Sequence, residues 1–196
     1  MPTGQLENPV SKERFTIRAS GPEALVLEVR VPPDMIRPPL HLHRSQQESF
    51  EVLHGQVTVR AGRAQHTLGP GDRIAVTPAT PHTWWNSGDD EAVLLAGFRP
   101  PGRAQSFFET FCGMASEGRC NSHGSPPFLQ IAASARLWDM YLAGPPVTLQ
   151  RALFAALGPL ARPADTAPAT GASPRCSHRS CGMPAPRART EGMMPQ

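Results

Sequence analysis

His41 and His43 stand two residues apart, Glu48 follows five residues later, and His82 lies far downstream. Imidazole and carboxylate are donor types that hold divalent transition metals. Residues two apart on a strand point to one face, so His41 and His43 can share an ion. Arg44 to Gln47 is a short polar stretch able to turn the chain back, and Glu48 heads the next segment, Ser49 to Leu53. His82 opens a third, running to Asn86. If these strands neighbour one another in a barrel, all four donors converge on one cation. Such a set leaves room on the ion for water, dioxygen or a substrate oxygen. It suits iron, manganese, nickel, copper or zinc and does not choose among them.

The elements needed to position these groups are short strands. Phe15 and Ile17 alternate with Thr16 and Arg18; Leu25, Leu27, Val29 and Val31 alternate with Glu28 and Arg30. Period-two alternation marks half-buried strands. The segments Gln56 to Arg60, Gln65 to Leu68, Arg73 to Val76 and Ala92 to Phe98 continue the series. His54-Gly55, Ala61-Gly62-Arg63 and Gly69-Pro70-Gly71-Asp72 read as turns between them. Close-spaced strands with glycine turns predict an antiparallel barrel or sandwich. By the same alternation Phe50, Val52, Val57, Val59 and Trp84 share the inward face with the four donors. They are expected to wall an apolar pocket for a small hydrophobic or aromatic molecule. Trp85 then faces outward, under a C-terminal helix. His54 and His66 are expected at the surface.

The pattern changes after Arg99-Pro100-Pro101-Gly102. Apolar residues recur at helical spacing near 105–117 (Phe107, Phe108, Phe111), 127–142 (Leu129, Ala133, Leu137) and 147–159 (Leu149, Leu153, Leu157). These stripes must bury against the barrel or a second copy. Four regions follow: an N-terminal arm over 1–13, a barrel over 14–99, a helical extension over 100–161, and a tail over 162–196.

The tail is rich in proline, alanine and arginine and almost devoid of large apolar residues, so it is expected to be disordered. Cys176, His178 and Cys181 within it offer only three local donors, at a spacing that is not a standard zinc one. With Cys112 and Cys120 they are too few to read as a disulfide framework. The tail carries five arginines against two acids, and that excess is the whole formal charge of +3; residues 1–161 balance to zero. No bulk attraction for nucleic acid or anionic lipid is expected from the folded part. No run approaches the roughly 20 apolar residues of a membrane helix. The first ten residues are polar, so a cytoplasmic location is expected.

These residues resemble the cupin superfamily. Its first motif is His-x-His, three or four residues, Glu, six residues, Gly; here it falls on His41, His43, Glu48 and Gly55. In the second motif Gly71, His82 and Asn86 match, while the family proline falls on Thr77 and a family glycine on Ala79. A further family glycine, ahead of the first motif, falls on Met35. The resemblance spans roughly residues 25 to 98. It implies a mainly β fold, a double-stranded β-helix or jelly-roll barrel, carrying the C-terminal α-helices on its surface. It implies one divalent metal on His41, His43, Glu48 and His82, a small-molecule ligand, and a homodimer. Asn86, by analogy, belongs to the pocket or steadies a turn. The family hosts oxygenase, isomerase and cyclase chemistry; a quercetinase-like dioxygenase is favoured here, with Glu48 as both ligand and proton carrier. The alternatives are a zinc-dependent cyclase or isomerase, and a non-catalytic ligand-binding protein.

Overall fold

The structure is a computed structural model describing residues 4–122, 124–157 and 159. Eleven strands and three helices are assigned among the described residues. The strands are β1 (Gln5–Glu7), β2 (Arg14–Ser20), β3 (Leu25–Val31), β4 (His41–His43), β5 (Gln47–His54), β6 (Val57–Ala61), β7 (Ala64–Leu68), β8 (Arg73–Val76), β9 (His82–Asn86), β10 (Ala92–Arg99) and β11 (Met140–Leu142). The helices are α1 (Ala104–Ser116), α2 (Phe128–Trp138) and α3 (Val147–Leu157). Two antiparallel sheets form, ordered β1-β2-β3-β10-β5-β8 and β11-β4-β9-β6-β7. The fold is mainly β, a double-stranded β-helix with C-terminal helices. No described helix is long and apolar enough to cross a membrane.

The alternating residues of β3, β5, β6 and β10 make the core between the sheets. Leu25, Leu27, Val52, Val57, Val59 and Leu94 are wholly buried. A smaller apolar cluster joins α2, β11 and α3 through Ala132, Ala135, Tyr141 and Phe154. α2 and α3 are thus fastened to the sheet that carries the histidines.

Asn86 ends β9 and fixes the loop after it. Its Nδ2 donates to Val31 O at 2.9 Å and Asp90 O at 2.8 Å, and its Oδ1 accepts from Gly88 N at 2.9 Å. At the β5–β6 hairpin, Gly55 takes a φ of +77°, and a Cβ there would stand 2.9 Å from Ala92 Cα. Gly55→Ala therefore meets both left-handed strain and backbone contact. It is expected to cost about 1–3 kcal/mol of stability, read as a lowered urea midpoint with unchanged slope.

Three features differ from the sequence expectation. Within the N-terminal arm, residues 5–7 form a strand, β1, which pairs with β2 in register Gln5↔Thr16. The second helix stops at Trp138 rather than near 142, because Asp139 adopts a left-handed conformation (φ 52°, ψ 28°). Residues 140–142 then form β11 alongside β4, with Met140 opposite His43. Finally, Trp85 is covered by Arg37, whose guanidinium carbon lies 3.5 Å from the ring centroid. The tail with Cys176, His178 and Cys181 lies outside the described residues.

Candidate metal centre

β4 and β9 pair so that His41 lies directly opposite His82. His43 shares the His41 face by strand alternation, and Glu48 enters from β5, in the other sheet, near its start. The four side chains are buried, and their donor atoms lie within 4.8 Å of one another. Glu48 Oε2 stands 3.2 Å from His43 Nε2 and 2.8 Å from His82 Nε2. Donors at right angles around one ion at about 2.1 Å would stand about 3 Å apart. The cluster has the dimensions of a coordination sphere.

The outer ring nitrogens carry the stronger argument. His41 Nδ1 faces Pro39 O at 2.9 Å, His82 Nδ1 faces Thr80 O at 2.9 Å, and His43 Nδ1 faces Asp139 O at 3.2 Å. A neutral imidazole has one N–H, and a carbonyl can only accept it. Each Nδ1–H is thereby directed outward and each Nε2 lone pair inward. Yet the Nε2 atoms of His43 and His82 also face a carboxylate oxygen, so a neutral ring cannot satisfy both sides. A cation seated between them does, using neutral imidazoles as metal ligands do. The residues present fit one divalent transition metal.

At His41 the electrostatics agree with that reading. Burial pushes the His41 pKa down to about 4, the Glu48 charge only partly offsetting it, so this ring is neutral near pH 7. Burial works against ionisation of Glu48, but the imidazoles of His43 and His82 hold its carboxyl well below the usual range. Burial also lowers His82, and the adjacent Glu48 carboxylate outweighs it, leaving a net rise.

The cluster opens into a cavity of about 200 Å³. Of the side chains expected to wall it, only Trp84 does so. Phe50, Val52, Val57 and Val59 do face inward, but they pack the core between the sheets, and Asn86 holds its loop. The aromatic wall comes instead from Phe15, Phe98, and Phe107, Phe108 and Phe111 of α1, joined by Trp138 at the end of α2. Phe107 and Phe111 stack with centroids 5.7 Å apart, and Phe107 meets Trp138 edge-on at 5.1 Å. Helical spacing had marked the α1 phenylalanines as a buried stripe without showing what they cover. Asp139 carried no sequence signal, although it does two things. Its carbonyl faces His43, and its Oδ2 accepts from Ser45 N and Oγ, each at 2.7 Å.

A double-stranded β-helix with three histidines and one carboxylate meeting inside it defines the cupin class. Residues 27–98 match the family model described as a cupin domain. A protein from Arthrobotrys oligospora described as an oxidoreductase is 30% identical over 117 residues, which is 56% of this chain and 46% of that protein. The chain thus spans about half the length of that curated relative. Among solved structures, KdgF from Halomonas sp. is similar at a TM-score of 0.47 and 17% identity, over 52% of this chain and 92% of the other. An RmlC-like cupin from Shewanella frigidimarina is similar at 0.47 and 17%, over 53% and 89% respectively.

Proposed function

We propose that this protein is a metal-dependent oxidoreductase of dioxygenase type, acting on a small apolar molecule of about one aromatic ring. The observation that carries the reading is the buried four-donor cluster, its imidazoles oriented from behind, opening into an aromatic cavity. An ion bound there would supply an open position at which dioxygen or a substrate oxygen gathers.

The chain's own residues supply the rest. Three backbone carbonyls orient His41, His43 and His82 so that each Nε2 faces the cluster, and Glu48 contributes the negative charge. Phe98, Phe108 and Trp84 exclude bulk water and offer ring faces to a flat substrate. At about 200 Å³ the cavity is smaller than the roughly 300–1,000 Å³ of pockets that take drug-sized ligands. A cavity of this volume favours single-ring substrates over the three-ring flavonols of the quercetinase-type expectation. The description of the Arthrobotrys relative as an oxidoreductase supports redox chemistry over isomerisation.

The test is oxygen uptake by protein loaded anaerobically with iron(II), manganese(II), nickel(II) or zinc(II), against a panel of catechols, hydroxybenzoates and small diketones. Uptake with a redox-active ion and one of these substrates, and none with zinc, is the expected result. Tight zinc retention with no uptake under any loading would overturn it in favour of a binding or cyclising role.

A further inference from the structure

Glu13 lies outside the family-matched residues, yet it lines the same cavity as the histidines. It is 6% exposed. Among the described residues no basic side chain pairs with it, and its one side-chain hydrogen bond comes from Ser11 Oγ to Oε2 at 2.7 Å. The neighbouring titratable group Cys112 supplies no positive charge; burial, and then Glu13, push its thiol up to about 12. A buried acid with no cation costs stability, so the packing of the fold does not account for it. Burial raises its carboxyl to about 7 against the pull of Ser11, which leaves a proton available to donate.

The loop that presents the pair is well braced. Asn8 Oδ1 accepts from Val10 N at 3.0 Å and Ser11 N at 3.2 Å, and Asn8 N donates to Glu13 O at 3.0 Å. Lys12, between the two, holds a left-handed φ of 61°. Elsewhere on the lining, Arg37 lies over Trp85, and Gln46 Nε2 donates to Pro100 O and Pro101 O while its buried Oε1, an acceptor only, has no partner. A ladder of rings joins the two polar places. Phe15, two residues on from Glu13, lies 4.9 Å from Phe108; Phe108 lies 5.7 Å from Phe98; Phe98 lies 6.4 Å from the His43 ring.

We infer that Ser11 and Glu13 form a second polar subsite, where a single-ring aromatic ligand bound between these rings places a carbonyl oxygen against the Glu13 carboxyl. The ligand's other oxygen function then faces the histidine cluster, a placement that rests on the metal-centre reading above. Glu13 is thus a specificity-determining residue: it selects ligands with an acceptor at the end remote from the metal.

Calorimetric titration of the chelator-treated full chain with acetophenone and with ethylbenzene isolates the subsite from the metal. Acetophenone is expected to bind about tenfold more tightly, the worth of one good hydrogen bond. Glu13→Leu should bring the two within about twofold without weakening ethylbenzene, and Glu13→Gln, which keeps a donor, should preserve the preference. No preference in the wild type, or one that survives Glu13→Leu, overturns the inference. Carbon-13 NMR of labelled glutamate in the wild-type protein gives a readout independent of folding of the variants. One carboxyl resonance should move with acetophenone and stay put with ethylbenzene; equal response to both also overturns it. A parallel titration with 3,4-dihydroxyacetophenone before and after zinc loading tests the metal reading. Failure of zinc to tighten that probe removes the metal end and leaves the subsite standing.

Discussion

Glu48→Gln is expected to yield a protein with less than about a tenth of the wild-type metal content, its affinity lowered roughly a hundredfold or more. Glu48 is the one anionic donor of the four, and it is buried. A divalent ion taken from water into this pocket loses its hydration, and three neutral imidazoles do not replace the charge balance that the carboxylate provides. The glutamine amide would also turn either an oxygen or an NH2 group toward two histidine Nε2 atoms that stand 3.2 and 2.8 Å away. Turnover should fall in step with metal. The imidazoles hold the Glu48 carboxyl well below its usual range, so it is a weak proton acceptor near neutral pH. Elemental analysis and chelator competition, set beside turnover per bound ion, check this. A variant that keeps its metal and loses turnover would make Glu48 a proton carrier and sink the assignment as an essential ligand.

How far the centre could be read from sequence follows from where its parts reside. His41 and His43 share a face because a strand has period two, and β4 is a strand. The motif spacing brought in Glu48 and His82, and the structure places the four together. The atoms that orient the rings were hidden for a different reason. Pro39 O, Thr80 O and Asp139 O are backbone carbonyls, which every residue type carries, and Asp139 reaches His43 from 96 residues away. Alternation put Phe50, Val52, Val57 and Val59 inward, and inward they are. Inward in a jelly roll can mean either the packed space between sheets or the cavity at the metal, and periodicity does not separate the two. The cavity's aromatic wall is built largely from α1, joined by the end of α2, whose stripes show in the sequence but whose docking site does not. β11 was absorbed into a helical pattern because Met140 and Leu142 continue the apolar content of α2. The left-handed turn at Asp139 breaks it. β1 has three residues, too few for any period to show.

The second large effect is expected at Glu13, as a pH-dependent difference in stability between wild type and Glu13→Gln. An unfolded glutamate titrates near 4.5, and burial raises the folded group to about 7. Below pH 4.5 the carboxyl is protonated in both states, and the two proteins should differ little in this respect. Between 4.5 and 7 the unfolded chain releases the proton while the folded chain retains it, so wild-type stability falls as pH rises. Above 7 the loss is complete and amounts to about 3 kcal/mol. The neutral glutamine escapes it. His41, neutral when folded with a pKa of about 4, tilts both proteins the opposite way and cancels in the comparison. Urea unfolding of the metal-free proteins at pH 4.5, 6 and 8 should therefore show Glu13→Gln gaining steadily on wild type. Parallel curves would mean that the folded acid ionises as easily as the unfolded one, and so has a charge partner. A gain of this size would show the chain keeping an acid that its fold is better off without. A residue retained at that cost, on the wall of a cavity shared with the metal ligands, is explained by what it binds.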